Sequence, residues 1–512
     1  MNHWLIAPIL LPLAGGVLLL LTAGRGLVCQ RTLSVLATAV LLPLAGMLLF
    51  YASGGDCQVY RLGGWPAPYG IVLVLDRLSA LMLVLTALVG LFSLLYAIGD
   101  ADAQGPHFHA LFQFELLGLN GAFLTGDLFN LFVFFEILLI ASYGLLLHGG
   151  GPGRVRAGLH YVVLNLVGSA LFLFALGILY GVTGTLNMAD LAVKSAAAPP
   201  ADAALLQAGG LLLLVVFGLK AAILPLYFWL PEAYSNAGGA VAGLFAIMTK
   251  VGVYGILRVF TLIFGPAAGV ASVAVPWLLP AALATLAAGM LGVLASRDLA
   301  RMLAYFVVAS VGTLLTAVAL FSEAGLRAAL VYLIHSTLVT AGLFLLADLI
   351  RVQRGSLSYQ SEAAVAQPLL LGVLFLTGAV AVAGAPPLSG FMGKLMILQA
   401  VQENAAAAWV WSIVLVTSLL GLVALTRAGG ALFWRTAGGV RLGIPARPSA
   451  VLPVVALIAC SPLLVVWGSS VVQFAHVTAH QLAQPAGYLE SVLGDAYPHP
   501  IHPQTEGCKD EK

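Results

Sequence analysis

Apolar residues run along this chain in stretches far longer than a soluble core helix needs. About fourteen stretches of at least eighteen mostly apolar positions can be marked off, at 4–23, 32–52, 76–98, 107–125, 127–148, 157–181, 204–230, 238–264, 273–295, 299–321, 326–350, 368–402, 407–433 and 450–475. The pattern predicts an all-α polytopic membrane protein, since lipid admits only helices and closed barrels with every backbone group paired. The first stretch has no basic residue before it and no small-residue cleavage site, so it reads as a retained helix.

Two stretches are interrupted. The seventh reads Gly218-Leu-Lys220-Ala-Ala-Ile-Leu-Pro225-Leu-Tyr-Phe-Trp-Leu-Pro231-Glu232. Pro225 removes a helical hydrogen bond and is expected to free the carbonyl of Ala221. The twelfth reads Ala383-Gly384-Ala-Pro386-Pro387-Leu-Ser-Gly390-Phe-Met-Gly393-Lys394. Each break has a lysine within a few residues. The two lie five helices apart, and five is odd, so they run in opposite directions. Broken helices at matching places of two inverted halves point to a transport site. Simple proline kinks are the alternative reading.

Composition agrees. The 512 residues are 61% hydrophobic and 8% charged, with a mean hydropathy of +1.05, whereas a soluble domain is about a quarter charged. The net charge of +2 gives no reason to expect nucleic acid. Cys29, Cys57, Cys460 and Cys508 are scattered with no CxxC spacing, so no zinc or iron–sulfur site is expected. No glycine-rich phosphate loop follows a polar strand. No cofactor is therefore expected.

Basic residues set an orientation. Loops after odd-numbered spans hold Arg25, Arg31, Arg154, Arg156, Arg297, Arg301, Arg351, Arg354, Arg427, Arg435, Arg441 and Arg447. Loops after even-numbered spans hold Arg61, Arg77, Lys194 and Arg327. This bias places the odd loops in the cytoplasm and both termini outside. The segment after Val477 carries Glu490, Asp495, Glu506, Asp510 and Glu511 against Lys509 and Lys512, and reads as a polar external tail; His499 and His502 within it suit a disordered end better than a metal site. The expected division is 1–100 (three helices), 101–265 (helices 4–8), 266–435 (helices 9–13, inverted), 436–477 (helix 14) and 478–512 (tail).

The candidate chemistry lies in charges placed where charge is expensive. Lys220, Lys250, Lys394 and Glu136 all fall inside apolar stretches. A charge near the bilayer centre costs about 2.5–3.5 kcal/mol on insertion scales, so three lysines cost on the order of 8–10 kcal/mol. Residues retained at that cost mark ion or proton paths. Burial disfavours a charged ammonium, and a nearby carboxylate favours it. Movement of Glu136 relative to Lys220 would thus change proton affinity; a fixed ion pair is the alternative. Lys250, mid-span with no carboxylate in its own turn, reads as a relay. His335, in Tyr332-Leu-Ile-His335-Ser336-Thr337, is either a proton carrier or a packed hydrogen-bonding residue. Glu115 is either a cation site or side branch, or a satisfied interhelical hydrogen bond. Glu232 is a candidate gate at the cytoplasmic end of the seventh span. Asp127 and Asp348 lie near helix ends, and Asp298 between Arg297 and Arg301 looks like an interfacial ion pair.

Several motifs go further: Gly126-Asp-Leu-Phe-Asn-Leu-Phe-Val-Phe-Phe-Glu136-Ile, Tyr161-Val-Val-Leu-Asn165-Leu-Val-Gly-Ser169, Tyr180-Gly-Val-Thr-Gly184-Thr-Leu-Asn187, Thr249-Lys250-Val-Gly-Val-Tyr254, Pro387-Leu-Ser-Gly-Phe-Met-Gly-Lys394 and the Lys220-to-Glu232 segment. Through them, over roughly residues 70–435, the chain resembles the antiporter-like membrane subunits shared by respiratory complex I and the multi-subunit (Mrp/Mnh/Pha-type) cation/proton antiporters, the D-type subunit of the latter above all. The resemblance implies two inverted five-helix units, helices 4–8 and 9–13. It also implies a midplane proton pathway through Glu136, Lys220, Lys250 and Lys394. Three departures stand out. Phe245-Ala246 replaces a His-Ala pair usual in complex I subunits. Thr340 replaces a lysine found in many relatives, so a link between His335 and Lys394 calls for water. The stretch Ala304 to Gly312 lacks the usual serines, leaving Ser310 and Thr313 as its polar groups.

The expected function is therefore a membrane subunit of a Na⁺ or K⁺/H⁺ antiporter of a bacterial inner membrane, without enzymatic activity and with several partner subunits. The competing expectation is a proton-pumping subunit of a complex I-like enzyme or membrane hydrogenase. A third possibility, a scaffold that has lost transport, sits poorly with four retained charges.

Overall fold

The computed structural model describes residues 3–55, 57–265, 273–360, 363–435 and 445–494. Arg441, His499, His502, Cys508 and the charged residues from Asp495 onward lie outside the described residues. The described residues form helices and their connections apart from one β-hairpin. Helices α1 (Ala7–Leu21) and α2 (Leu27–Ser53) precede β1 (Gln58–Arg61) and β2 (Val72–Leu75), which pair antiparallel with Gln58 opposite Leu75. Then come α3 (Arg77–Ala97), α4 (Phe108–Leu124), α5 (Leu128–Leu147), α6 (Pro152–Thr183), α7 (Met188–Ala196), α8 (Ala203–Ala221), α9 (Trp229–Asn236) and α10 (Gly239–Leu262). The second half holds α11 (Val275–Ala295), α12 (Leu299–Val318), α13 (Glu323–Arg354), α14 (Pro368–Ala383), α15 (Ser389–Ala400) and α16 (Ala407–Gly429). Helices α17 (Pro448–Val466), α18 (Gly468–Ala483) and α19 (Ala486–Leu493) close the described chain.

Among the described residues, eleven segments are long and apolar enough to cross a membrane. Four of the expected spans look different. Residues 4–23 and 107–125 yield the shorter α1 and α4, and 368–402 is divided between α14 and α15. The expected span 450–475 also divides, at Trp467, and α18 runs on to Ala483. What reads as a polar tail is helical as far as Leu493. The reason is burial: Tyr488 is covered and its ring lies 5.2 Å from the Arg258 guanidinium. The hairpin and the amphipathic α7 were not legible as spans.

Helices α10 and α13 are buried along their whole apolar lengths and pack on each other, while α2, α16 and α17 are largely exposed at the rim. The two central helices are thus shielded from lipid by the rest. Gly252 lets α8 and α10 touch, because a methyl there would lie 2.7 Å from the Phe217 carbonyl oxygen.

Caps define the helix starts. Asp76 and Ser79 form a reciprocal capping box at α3, each accepting the other's backbone N–H at 2.9 Å. Asp127 caps α5 through Asn130 N–H at 2.8 Å. Asp298 caps α12 through the Arg301 N–H at 2.8 Å. The ion pair expected of Asp298 does not form, because the Arg301 guanidinium turns to Glu232.

One arrangement occurs twice. Asp127 bridges Asn187 antiparallel, with Leu128 N–H to Leu186 O and Met188 N–H to Gly126 O. Asp298 bridges Ser358 the same way, with Leu299 N–H to Leu357 O and Tyr359 N–H to Arg297 O. Both partners are displaced by 171 positions (298 less 127, 358 less 187). The same displacement carries Tyr161, Asn165 and Ser169 of α6 onto Tyr332, Ser336 and Thr340 of α13.

Candidate functional site

Both helix breaks are real, and each starts at a left-handed residue. Helix α8 ends at Ala221, and Ala222 has φ 62°. The interruption therefore begins three positions before Pro225, earlier than the proline alone suggests. Its polar backbone is cared for locally: Ile223 N–H bonds the Gly218 carbonyl at 2.8 Å, Trp229 Nε1 donates to Leu219 O at 3.0 Å, and Leu224 N–H donates to Thr285 Oγ1 at 2.9 Å. Helix α14 ends before Gly384, φ 77°.

The two lysines occupy opposite sides of their breaks. Lys220 lies in the last turn of α8. Lys394 starts from the second half-helix, α15, and reaches back to the end of α14, donating to Ala383 O at 2.9 Å and Val382 O at 3.5 Å. The Lys394 ammonium thus meets the carbonyl-rich, negative end of a half-helix, where a cation is favoured, whereas the Lys220 ammonium is held by a side chain of α6. Ser418 of α16 also accepts from Lys394, at 2.9 Å.

Lys220 is 7% exposed and donates to Asn165 Oδ1 at 3.1 Å. One turn on, the Ser169 hydroxyl hydrogen-bonds both the Asn165 carbonyl (3.0 Å) and Glu136 Oε1. Glu136 and Lys220 are therefore joined through α6 and are not a contact ion pair. Among the described residues, none of the three lysines has a carboxylate within 4 Å. Asn165 and Ser169 were visible in a motif, but their role was not. Their four-residue spacing, which puts both on one face of α6, was the available signal.

Lys250 is 1% exposed at the middle of α10. A cavity of about 10 Å³, bounded by Lys220, Asn165, Tyr161 and Met248, lies beside it, at the lower limit for one water. His335, on the partner helix α13, is buried and within Coulombic range of both Lys250 and Lys394. Its Nδ1 meets Ser389 Oγ at 2.8 Å, and Ser389 meets Ser461 Oγ at 2.8 Å. Gly390 makes this contact possible, since a methyl there would lie 2.9 Å from His335 Nε2. A cavity of about 20 Å³ touches His335, Thr340, Tyr332, Ser310, Thr313 and Lys394 together, room enough for a water between histidine and lysine.

The other two candidates stand apart. Glu232 is a solvent-facing partner of Arg301, joining α9 to α12. Glu115 on α4 is fully buried, and neither carboxyl oxygen has a hydrogen-bond partner among the described residues, so it is not the satisfied interhelical group considered above. Among the described residues no three His, Cys, Asp or Glu side chains are grouped to hold a metal.

Half-helices abutting at membrane depth, with ionisable groups strung through the centre of a helical bundle, define a multi-pass membrane protein of the ion-translocating class. Over residues 125–421 the chain matches the NADH:quinone oxidoreductase/Mrp antiporter transmembrane family, and it belongs to that family. It is 42% identical to the D-type subunit of a probable K⁺/H⁺ antiporter of Rhizobium meliloti, over 96% of this chain and 98% of that one. It is 38% identical to the D-type subunit of a Na⁺/H⁺ antiporter of Bacillus subtilis, over 96% of this chain and all of that one. Among solved structures, a chain of the Mrp complex from Dietzia sp. DQ12-45-1b superposes with a TM-score of 0.86 at 28% identity, covering 96% of this chain and 100% of that chain.

Proposed function

We propose that this chain is a proton-conducting subunit of a multi-subunit Na⁺ or K⁺/H⁺ antiporter, driven by an ion gradient and doing no enzymatic chemistry. Protons pass along Glu136, Lys220, Lys250, His335 and Lys394. The observation that carries this reading is the succession of buried polar groups: Glu136, Ser169, Asn165 and Lys220 on one side, His335 and Lys394 around a shared cavity on the other, with Lys250 and His335 on the two lipid-shielded helices. Near-full-length similarity to D-type antiporter subunits favours gradient-driven over redox-driven use. Neighbouring genes for quinone-reductase or hydrogenase subunits would favour the latter.

The recurrent bridge at Asp127 and Asp298 supports two inverted five-helix units, 101–265 and 266–435, each contributing one broken helix. The arginine bias supports odd loops on the cytoplasmic side and both termini outside, and the bacterial source of the relatives supports a bacterial cytoplasmic membrane. Partner subunits complete the assembly, and Glu232, in the first turn of α9 and paired with Arg301, serves as a gate to a cytoplasmic half-channel.

Proton-coupled Na⁺ and K⁺ uptake into everted vesicles tests this, using an antiporter-deficient host and the complete gene set. Glu136→Ala and Lys220→Ala are expected to abolish exchange while the complex still assembles. Full exchange in both variants overturns the assignment.

A further inference from the structure

Glu115 is the buried acid that the path above does not use. It projects from α4 with no accessible surface and no hydrogen-bond partner among the described residues. An apolar side chain would fill that volume without the penalty of burying a carboxyl group. Two tyrosines, Tyr161 of α6 and Tyr234 of α9, lie close enough to feel its charge, but neither hydroxyl is hydrogen-bonded to it: Tyr161 Oη meets Ser142 Oγ at 2.8 Å and Met248 Sδ at 3.2 Å, so a proton reaches Glu115 only when a hydroxyl turns toward it.

These tyrosines border different cavities. Tyr234 lines a cavity of about 170 Å³ together with Arg154, Asn236, Asp348 and Arg351. Those residues belong to loops and helix ends after the fifth, seventh and eleventh spans, so the cavity lies at the odd-loop face. At its wall Asp348 accepts from Arg351 at 2.6 Å and from the Tyr96 hydroxyl at 2.9 Å. Tyr234 itself donates inward, to the Phe245 carbonyl at 2.6 Å. Tyr161 borders the small cavity that Lys220 and Asn165 share, and its ring stacks on Trp229 at 5.0 Å. Glu115 thus has one hydroxyl toward a polar vestibule and another toward the first lysine.

We propose that Glu115 is the proton inlet from the odd-loop face, a role that rests on the proton-conducting reading above. The Tyr234 hydroxyl leaves the Phe245 carbonyl and gives its proton to the Glu115 carboxylate, taking a replacement from the vestibule. Protonated Glu115 then passes a proton to Tyr161, which releases its own toward the neutral Lys220 amine. Each tyrosine gives one proton as it takes one, so only Glu115 and Lys220 change charge.

The test compares Glu115→Gln, Tyr234→Phe and Lys220→Ala in everted vesicles carrying the complete complex, with assembly followed by co-purification. Glu115→Gln is expected to slow exchange on the order of a hundredfold, the lower range for a positioned proton-transfer group. It should also remove an infrared carboxylic-acid C=O band that responds to an imposed pH gradient. Glu115→Asp is expected to restore part of the rate. Wild-type exchange in Glu115→Gln with Lys220→Ala inactive overturns the inlet and leaves the proton path standing. Wild-type exchange in both overturns the path itself. Should Glu115→Gln fail to assemble, Tyr234→Phe decides, since it keeps the packed ring: slowed exchange supports the inlet and an unchanged rate overturns it.

Discussion

Lys220 donates its buried hydrogen bond to Asn165, 3.1 Å away, and not to Glu136. The neutral amide keeps a polar contact without pinning the ammonium. A charge-assisted hydrogen bond contributes about 1.5–3 kcal/mol. Asn165→Leu is therefore expected to slow proton-coupled uptake by roughly tenfold to a hundredfold at unchanged complex yield. Asn165→Asp places a carboxylate directly against the lysine and holds it charged, so it too should block turnover. Uptake assays with an immunoblot for each subunit distinguish transport loss from assembly loss. Normal uptake in both variants would show that the amide is only a packing group.

Gly384 combines a left-handed backbone, φ 77°, with a steric demand: a methyl there would lie 2.6 Å from Lys394 Cδ. Gly184 has φ 69° and nothing within 4 Å of its absent methyl. Alanine at either position carries a backbone cost of roughly 1–2 kcal/mol. Gly384→Ala alone also pushes Lys394 off the carbonyls that end α14. Both variants should lose a similar few degrees of thermal stability in detergent, and Gly384→Ala alone should lose transport. Equal transport in the two would remove the significance of the Lys394 position.

The broken helices were legible because proline and glycine act locally, through a missing donor and a permissive φ. The buried lysines were legible because an ammonium in an apolar run has no cheap structural explanation. What the chain order hid was mostly non-local. Ser418 joins Lys394 from 24 positions away, Ser461 joins Ser389 from 72, and Arg258 meets Asp76 from 182. A serine inside an apolar run looks unremarkable until its neighbour is known. Asp298 misled because its flanking arginines suggested charge pairing, while the first turn of α12 offered it a backbone N–H instead.

The Arg258 guanidinium binds both Asp76 carboxylate oxygens, at 2.7 and 2.8 Å, and lies over Tyr254 and Tyr488. One ion pair thus ties α3, α10 and the C-terminal α19 together. Removing one member of a buried pair leaves an uncompensated charge and costs about 3–5 kcal/mol. Asp76→Asn also weakens the capping box at α3. Asp76→Asn and Arg258→Met should each lower thermal stability sharply. The double variant should recover part of the loss, because it buries no lone charge. A double variant as weak as the sum of the singles would argue that the two sites act independently.

Arg31 and Asp102 make a second cross-link, at the odd-loop face, with donor distances of 2.6 and 2.9 Å. Burial works against the Asp102 charge, but the His109 and Arg31 donors prevail and hold its carboxyl at about 2. An unfolded aspartate titrates near pKa ~3.9. The folded value is the lower one, so the stabilisation is fully present above about pH 4 and is lost as pH falls toward about 2. Its size is about 2 kcal/mol, from a displacement just under two pKa units. Thermal unfolding of the purified protein in detergent between about pH 5 and pH 3 should show this as a declining midpoint. Asp102→Asn should be less stable at neutral pH and flatter across that window.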